Sequence, residues 1–316
     1  MTRAFIFPGQ GSQAVGMGLA LSQGFAAARL VFEEVDEALK QKLSKLMFEG
    51  PESDLVLTEN AQPALMTVSI ATQRVLEAEG GWRLPDKASF VAGHSLGEYS
   101  ALAATGALTL SDAARLLKLR GQVMQKAVPV GVGAMAALLG PELEQVQKIA
   151  RQAADETKKV CGVGNDNSPG QVVVSGAKEA VERAIAIAAE QGVKRSVMLP
   201  VSAPFHCALM QPAADAMEEA LSKATIRQPA VPVVANVTAQ PVSDPAAIAK
   251  LLVQQIVATV RWRESMLAMK SLGVTKMYEL GSGKVLAGLI KRIDKEIEAS
   301  SVGAPADVEA ALKALS

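Results

Sequence analysis

A serine set between two glycines is the first feature of this chain that could do chemistry. The run Gly93-His-Ser-Leu-Gly97 follows a stretch, Ser89 to Gly93, that reads as a short buried strand, and it precedes the helical run Glu98 to Ala107. A strand that turns at once into a helix strains its central residue and leaves no room for side chains on the flanks. Small flanking residues would therefore expose the Ser95 hydroxyl at the edge of a sheet. The helix N-terminus behind it would aim backbone N–H groups and a positive dipole end at a developing oxyanion. The bare pattern is common by chance; the strand before it and the helix after it make Ser95 a candidate nucleophile.

A serine hydroxyl needs a base, and the chain has two histidines. His94 adjoins Ser95 in the turn, where its side chain is expected to point away from the nucleophile's face, so it is read as structural or as a minor substrate contact. His206 remains. It follows Val201-Ser-Ala-Pro-Phe205 at the end of a predicted strand, with the proline stiffening a loop at the sheet's rim. A lone histidine is more often structural, but a serine with no other base makes His206 the candidate general base. Two histidines are too few for a histidine-built metal site. Cys161 and Cys207 form neither a C-x-x-C pair nor a disulfide framework and read as reduced apolar fillers.

The elements that must position these groups follow from periodicity. A strand opens the chain and runs into Pro8-Gly-Gln-Gly-Ser-Gln-Ala-Val-Gly16, a glycine-rich turn. Helical spacing follows at Leu30, Val31, Val35 and Leu39, and again from Thr58 through Ala78. From Ala134 the order is strand (Ala134 to Leu139), helix (Pro141 to Ala154), strand (Lys159 to Val163), turn (Asn165 to Gly170), strand (Gln171 to Ser175), helix (Glu179 to Gln191) and strand (Val193 to Leu199). That βαββαβ order is ferredoxin-like. It predicts a small subdomain over 131–199, inserted between the two halves, 1–130 and 200–316, of a larger α/β subdomain. The C-terminal part alternates again: a strand at Val231 to Val237, helices at Ala246 to Val257 and Arg263 to Leu272, a strand at Lys276 to Leu280, a helix at Val285 to Ala299 and a terminal helix at Asp307 to Leu315. Alternation of this kind predicts a mainly parallel sheet covered on both faces.

Composition excludes several classes of function. The 316 residues are 49% hydrophobic and 20% charged, enough for a full core, and no apolar run approaches a membrane span. Lys+Arg and Asp+Glu are 32 each, so the overall field offers no footprint for nucleic acid or an anionic membrane. No secretory signal is read at the N-terminus, and the chain is expected to be a cytoplasmic monomer.

Seven segments carry a resemblance that spans nearly the whole chain. They are Phe7-Pro-Gly-Gln-Gly-Ser-Gln13, Asn60-Ala-Gln-Pro63, Gly93-His-Ser-Leu-Gly-Glu-Tyr99, Arg120-Gly-Gln-Val-Met-Gln125, Asn167-Ser-Pro-Gly-Gln171, Phe205-His206 and Glu279-Leu-Gly-Ser-Gly-Lys-Val-Leu286. In this order the chain resembles the malonyl-CoA:acyl carrier protein transacylases. The resemblance implies an α/β-hydrolase-like large subdomain with a ferredoxin-like insert. It further implies that Ser95 is acylated, that His206 is its base, and that the backbone N–H groups of Leu96 and Gln10 hold the oxyanion. Gly9 and Gly11 would let main chain approach the reacting carbonyl. His206 would be oriented by a main-chain carbonyl near Gln255, with no third acid.

By spacing alone Arg120 is a solvated helix residue, about seven helical turns beyond Ser95. The resemblance makes it the group that grips the free carboxylate of a malonyl thioester through two parallel hydrogen bonds. Phe205 would exclude a substituent on the carbon between the two carbonyls; an ordinary core aromatic is the other reading. Gln62, Asn167 and Gln255 match positions near the family's site, although turn and capping roles also explain the first two. The implied partners are malonyl-CoA and an acidic helical carrier protein, for which Lys284, Lys291 and Arg292 are the candidate docking patch, a solvated helix face being the alternative. Neither a metal nor a bound cofactor is expected.

Two glycine patterns mislead. Gly9-x-Gly11-x-x-Ala14 fits a dinucleotide fingerprint, but the acid some 20 residues beyond it, Asp36, lies in helical rather than strand periodicity. Gly281-Ser-Gly-Lys284 evokes a phosphate loop, but Val285 stands where Ser or Thr is required. The nearer rival is a serine esterase or thioesterase built on the same dyad, and a non-catalytic scaffold is a third class; a cation at the acyl end speaks against the first, retention of both Ser95 and His206 against the second.

Overall fold

The computed structural model describes residues 2–201 and 203–316. Met1 of the opening strand and Ser202 of the loop before His206 lie outside the described residues. Among the described residues ten strands form: β1 (Thr2–Phe7), β2 (Phe90–Gly93), β3 (Gly133–Leu139), β4 (Cys161–Ser168), β5 (Gln171–Ala177), β6 (Arg195–Met198), β7 (Val233–Val234), β8 (Pro241–Val242), β9 (Val274–Leu280) and β10 (Glu298–Val302). They make a six-stranded sheet of order β10-β9-β1-β2-β7-β8 and a four-stranded sheet of order β4-β5-β3-β6. Every pair in the larger sheet is parallel except β7–β8, and every pair in the smaller one is antiparallel.

The central strand shows why the larger sheet needs helices on both sides. Side chains alternate along a strand, and Phe5 and Phe7 of β1 enter a core shared with the helices Ala26–Leu39 and Thr58–Gly80. Ala4 and Ile6 face the opposite core, with Trp262, Met266, Leu286 and Ile290. The helix Thr58–Gly80 is buried along most of its length, as an element packed on several sides must be. In the smaller sheet Ala134, Ala136 and Leu138 of β3 face the helices Leu143–Thr157 and Lys178–Glu190. The alternate residues Met135 and Ala137 join the main core.

Three elements differ from the sequence reading. The predicted turn Asn165 to Gly170 is largely strand: β4 runs on to Ser168 with register shifts beside Asn165 and Asp166. The irregularity has a use. Asn165 bridges to Val260, the Asp166 N–H donates to the Val260 carbonyl at 2.9 Å, and Arg263 pairs with the buried Asp166 carboxylate at 3.0 Å, so this strand fastens the smaller sheet to the segment 260–263, whose Val260 and Trp262 pack in the core under β1. The predicted strand Val231 to Val237 keeps only Val233 and Val234 in the sheet, because the chain then leaves it and carries Asn236 toward Ser95. The predicted helix Val285 to Ala299 stops at Ile293, and Ala299 belongs to the edge strand β10, whose polar sequence Glu298-Ala-Ser-Ser-Val302 gives little strand signal. Among the described residues no helix is long and apolar enough to cross a membrane.

The phosphate-loop mimic meets a second obstacle. The N-terminus of the helix Val285–Ile293 is already occupied by a buried carboxylate: Glu279 accepts the N–H of Leu286 at 3.1 Å and of Ala287 at 2.8 Å, and the Ser301 hydroxyl donates to it at 3.1 Å. Removing an acceptor that satisfies two helix-end donors costs about 2–3 kcal/mol. Glu279→Ala is therefore expected to lower the unfolding free energy by that amount in a denaturant titration at unchanged m-value; a change under about 0.5 kcal/mol would contradict this account.

Candidate active site

β2 ends at Gly93 and the helix Gly97–Ala104 begins four residues later. Between them Ser95 sits at φ 54°, a left-handed conformation that costs a non-glycine residue about 1–3 kcal/mol and persists only where its surroundings over-determine it. The flanking glycines are sterically required. A Cβ on Gly93 would lie 1.8 Å from the Gly97 carbonyl oxygen, and one on Gly97 would lie 2.3 Å from that of Phe7. Both main-chain groups of Ser95 are held from far along the chain: its N–H donates to Asn236 Oδ1 at 2.8 Å, and its carbonyl accepts from Gln255 Nε2 at 3.0 Å.

The Ser95 hydroxyl lies 2.8 Å from His206 Nε2, and His206 Nδ1 lies 2.8 Å from the main-chain oxygen of Gln255. A carbonyl can only accept, so Nδ1 carries the proton and Nε2 is left with the lone pair that takes the serine O–H. Burial, and next the nearby Arg120 cation, push the His206 imidazole down to about 3. His94 behaves differently. Its Nε2–H donates to Asn167 Oδ1 at 2.8 Å, and its ring packs 5.5 Å from that of Trp262, tying the serine turn to β4.

Arg120, on the helix Leu110–Ala127, is 1% exposed. Nη1 donates to Gln62 Oε1 and Nη2 to Gln255 Oε1, both at 2.7 Å, while Nη2 also donates to Ser95 Oγ at 3.1 Å. Its carbon lies 5.7 Å from the centre of the Tyr99 ring. All three acceptors are neutral. Among the described residues no carboxylate lies within ion-pair distance of this guanidinium, and desolvation lowers its pKa. An arginine buried in a helix interior is not the solvated residue that spacing alone suggests.

These groups open on a cavity of about 250 Å³, lined on its apolar side by Met124, Met135, Leu199 and Phe205 and on its polar side by Gln10, Gln62, Arg120, Ser95 and His206. Larger grooves lie beside Trp82 and beside Lys284, at about 620 and 810 Å³, but neither contains the serine. The N–H groups of Gln10 and Leu96 have no acceptor among the described residues. Gly9 is explained by its neighbour, since a Cβ there would stand 2.8 Å from the His94 carbonyl oxygen, and Gly11 by its φ of 105°.

Comparison with known proteins bears on this site. Residues 4–282 match the family described as acyl transferase domain. A malonyl CoA-acyl carrier protein transacylase of Bacillus subtilis strain 168 is 45% identical over 312 residues, covering 99% of this chain and 96% of that protein. This chain belongs to the malonyl CoA-acyl carrier protein transacylases. An acyl-carrier-protein S-malonyltransferase from Bartonella henselae superposes with a TM-score of 0.97 at 54% identity, covering 100% of this chain and 99% of that one. A malonyl-transacylase solved in complex with its type II PKS acyl-carrier protein superposes at 0.95 with 41% identity, covering 99% of this chain and 100% of that one. As a transacylase the chain is an acyltransferase, the family that the motif series suggested, and its mixed α/β fold with a mostly parallel sheet and an antiparallel one agrees with these relatives.

Within the transacylase the predicted residues fall into three groups. Ser95, His206, Arg120, Gln62, Phe205, Gln10 and Leu96 line the cavity; Gln255 stands directly behind it, contacting His206 and Arg120. Asn167 does not line the cavity, its amide oxygen being taken by His94. Lys284 and Lys291 border the separate 810 Å³ groove, and Arg292 donates to Gln171 Oε1 at 2.8 Å. Sequence reasoning missed Asn236 and the buried Glu98. A polar residue inside the apolar run Val231 to Val237 was the available signal for Asn236, and Glu98 was read only as the start of a helical run. Because burial lowers both imidazoles, we expect His206 not to titrate between pH 8 and 5 by NMR and the His94 midpoint to lie below the ordinary imidazole value. A midpoint near 6.5 for either would contradict the structure.

Proposed function

We propose that this transacylase moves a malonyl group from malonyl-CoA to the pantetheine thiol of an acyl carrier protein through an ester on Ser95. One observation carries the substrate choice: the Arg120 cation is buried, has no carboxylate within ion-pair distance among the described residues, and lies one hydrogen bond from the serine oxygen. A charge taken out of water without a counter-ion is costly, and the free carboxylate of a malonyl thioester, two bonds beyond the reacting carbonyl, supplies that counter-ion. The second Nη1–H and the Nη2–H now on Ser95 Oγ are the pair available for it.

In the first half-reaction Ser95 Oγ attacks the thioester carbonyl while its proton passes to His206 Nε2. The oxyanion is held by the Leu96 and Gln10 N–H groups. Collapse breaks the carbon–sulfur bond, and the departing thiolate takes the proton from His206. In the second half His206 receives the carrier thiol's proton as sulfur attacks the ester, and returns it to Ser95 Oγ. A carboxylate paired with Arg120 also removes one of the two main causes of the low imidazole pKa, so bound substrate makes the base stronger. Phe205 in the cavity wall supports exclusion of a branched acyl group.

By the same reading the large part of the chain, 1–130 and 200–316, is α/β-hydrolase-like, and 131–199 is a ferredoxin-like insert, supported by the antiparallel order β4-β5-β3-β6 with both helices on one face. Carrier docking at Lys284, Lys291 and Arg292 is supported by the link between the groove that Lys284 and Lys291 border and the Gln10 loop, where Ser282 Oγ donates to the Ser12 carbonyl at 2.7 Å. Charge reversal at Lys284 and Lys291 should then slow transfer to the carrier in a salt-dependent way and leave Ser95 acylation unaffected.

The decisive experiment offers the protein malonyl-, acetyl- and methylmalonyl-CoA with and without carrier protein and locates the label by mass spectrometry. A burst of malonyl on Ser95, absent in Ser95→Ala, is expected; label lost only to water, carrier present, would favour the thioesterase reading. Arg120→Ala should erase a preference for malonyl over acetyl of at least about a hundredfold. Equal losses with both donors would count against the carboxylate grip.

A further inference from the structure

The centre holds a buried carboxylate that the transfer chemistry does not use. Glu98 lies in the first turn of the helix Gly97–Ala104 and is 2% exposed, yet its side chain caps nothing in that helix. Instead Oε2 accepts two N–H groups from elsewhere, the main chain of Asn236 at 3.1 Å and the side-chain amide of Gln255 at 2.8 Å. These are the two residues that hold the backbone of Ser95.

Asn236 Oδ1 accepts the Ser95 N–H, and Asn236 Nδ2 donates to the Gly93 carbonyl at 2.7 Å, so this one side chain spans the bend. Gln255 Nε2 donates to the Ser95 carbonyl and reaches Asn236 Oδ1 at 3.3 Å. A side-chain amide can present either end, whereas a carboxylate accepts only. Glu98 therefore favours the orientation in which Gln255 turns its NH₂ toward Ser95 and its oxygen toward Arg120. The Gln255 main-chain oxygen also receives the His206 Nδ1–H. Ser95, His206 and Arg120 thus each lean on a residue that Glu98 contacts, and the left-handed turn at Ser95 would relax if its surroundings did not over-determine it.

We propose that Glu98 is the positioning residue of this centre: as a buried acceptor it orders Asn236 and Gln255, and through them it holds Ser95 at the angle from which Oγ meets His206. The inference rests on Ser95 being the acylated nucleophile. Burial raises the Glu98 carboxyl to about 7 in spite of its two donors and the nearby Arg120 cation, and a protonated carboxyl still offers an acceptor oxygen to both.

The test compares Glu98→Ala, Glu98→Gln and Glu98→Asp by single-turnover malonylation of Ser95, followed by mass spectrometry, with thermal melts as the folding control. Misplacing a nucleophile by about 1 Å costs on the order of a hundredfold, and we expect that loss in Glu98→Ala. Gln keeps an acceptor oxygen where Oε2 stands and should recover at least tenfold of it. Binding should be spared: calorimetric affinity for malonyl-CoA should agree within about threefold between Ser95→Ala and the double variant Ser95→Ala/Glu98→Ala. A folded Glu98→Ala with a near-parental rate, a binding loss that matches the rate loss, or Gln no faster than Ala would overturn the proposal. If the Ala variant does not fold, Gln must outpace Asp, whose carboxylate is drawn back by a methylene; equal rates would overturn it. Label persisting in Ser95→Ala would instead sink the functional reading itself, whatever Glu98 does.

Discussion

The constraint on which the site depends is a main chain bent where side chains do not ordinarily go. A serine at positive φ is held by contacts from every side: two glycines give the bend its room, an asparagine takes the N–H, and a glutamine amide grasps the carbonyl. None of these partners is local except the glycines. The local sequence permits the bend, and segments some 140 and 160 positions away hold it. The same glutamine contributes its own carbonyl to the imidazole and its amide oxygen to the guanidinium, so strain at the serine and orientation of the base have one common support.

Electrostatics adds a second layer. Arg120 has given up water for three neutral acceptors and an aromatic face, and its charge helps keep the imidazole beside it neutral. An anion that reached this guanidinium would offset the desolvation it has already undergone and would at the same time relieve its pull on the imidazole. Such coupling is the usual mark of a site in which local stability has been exchanged for function.

Much of this was legible before any coordinates. Ser95 was readable because its motif is local and its strand and helix flank it directly, and His206 because so few bases were available. The βαββαβ order emerged from plain periodicity. Arg120 illustrates the limit: spacing made it a solvated helix residue, and only the resemblance to a family moved it into the site. What stayed hidden depends on distant pairing. Asn236 looked like one more residue of an apolar strand, yet that strand is short because the asparagine is needed at the serine. The stretch Asn165 to Ser168 looked like a turn from its polar composition and the Pro169-Gly170 that follows, and it is a bulged strand because Val260 and Arg263 pair with it. β10 escaped because an edge strand that faces water has no reason to be apolar.

The Gln255 carbonyl that accepts the His206 proton has a consequence for how the molecule is made. During synthesis the serine turn, the buried arginine and the whole antiparallel sheet leave the ribosome well before the residue that orients the imidazole. Until the helix Pro245–Gln255 has been made and has docked, the histidine lacks the carbonyl that accepts its Nδ1–H. A chain cut before that helix would keep Ser95, Arg120 and His206 yet lose both the Gln255 contacts and the core face built from Trp262, Met266 and Leu286.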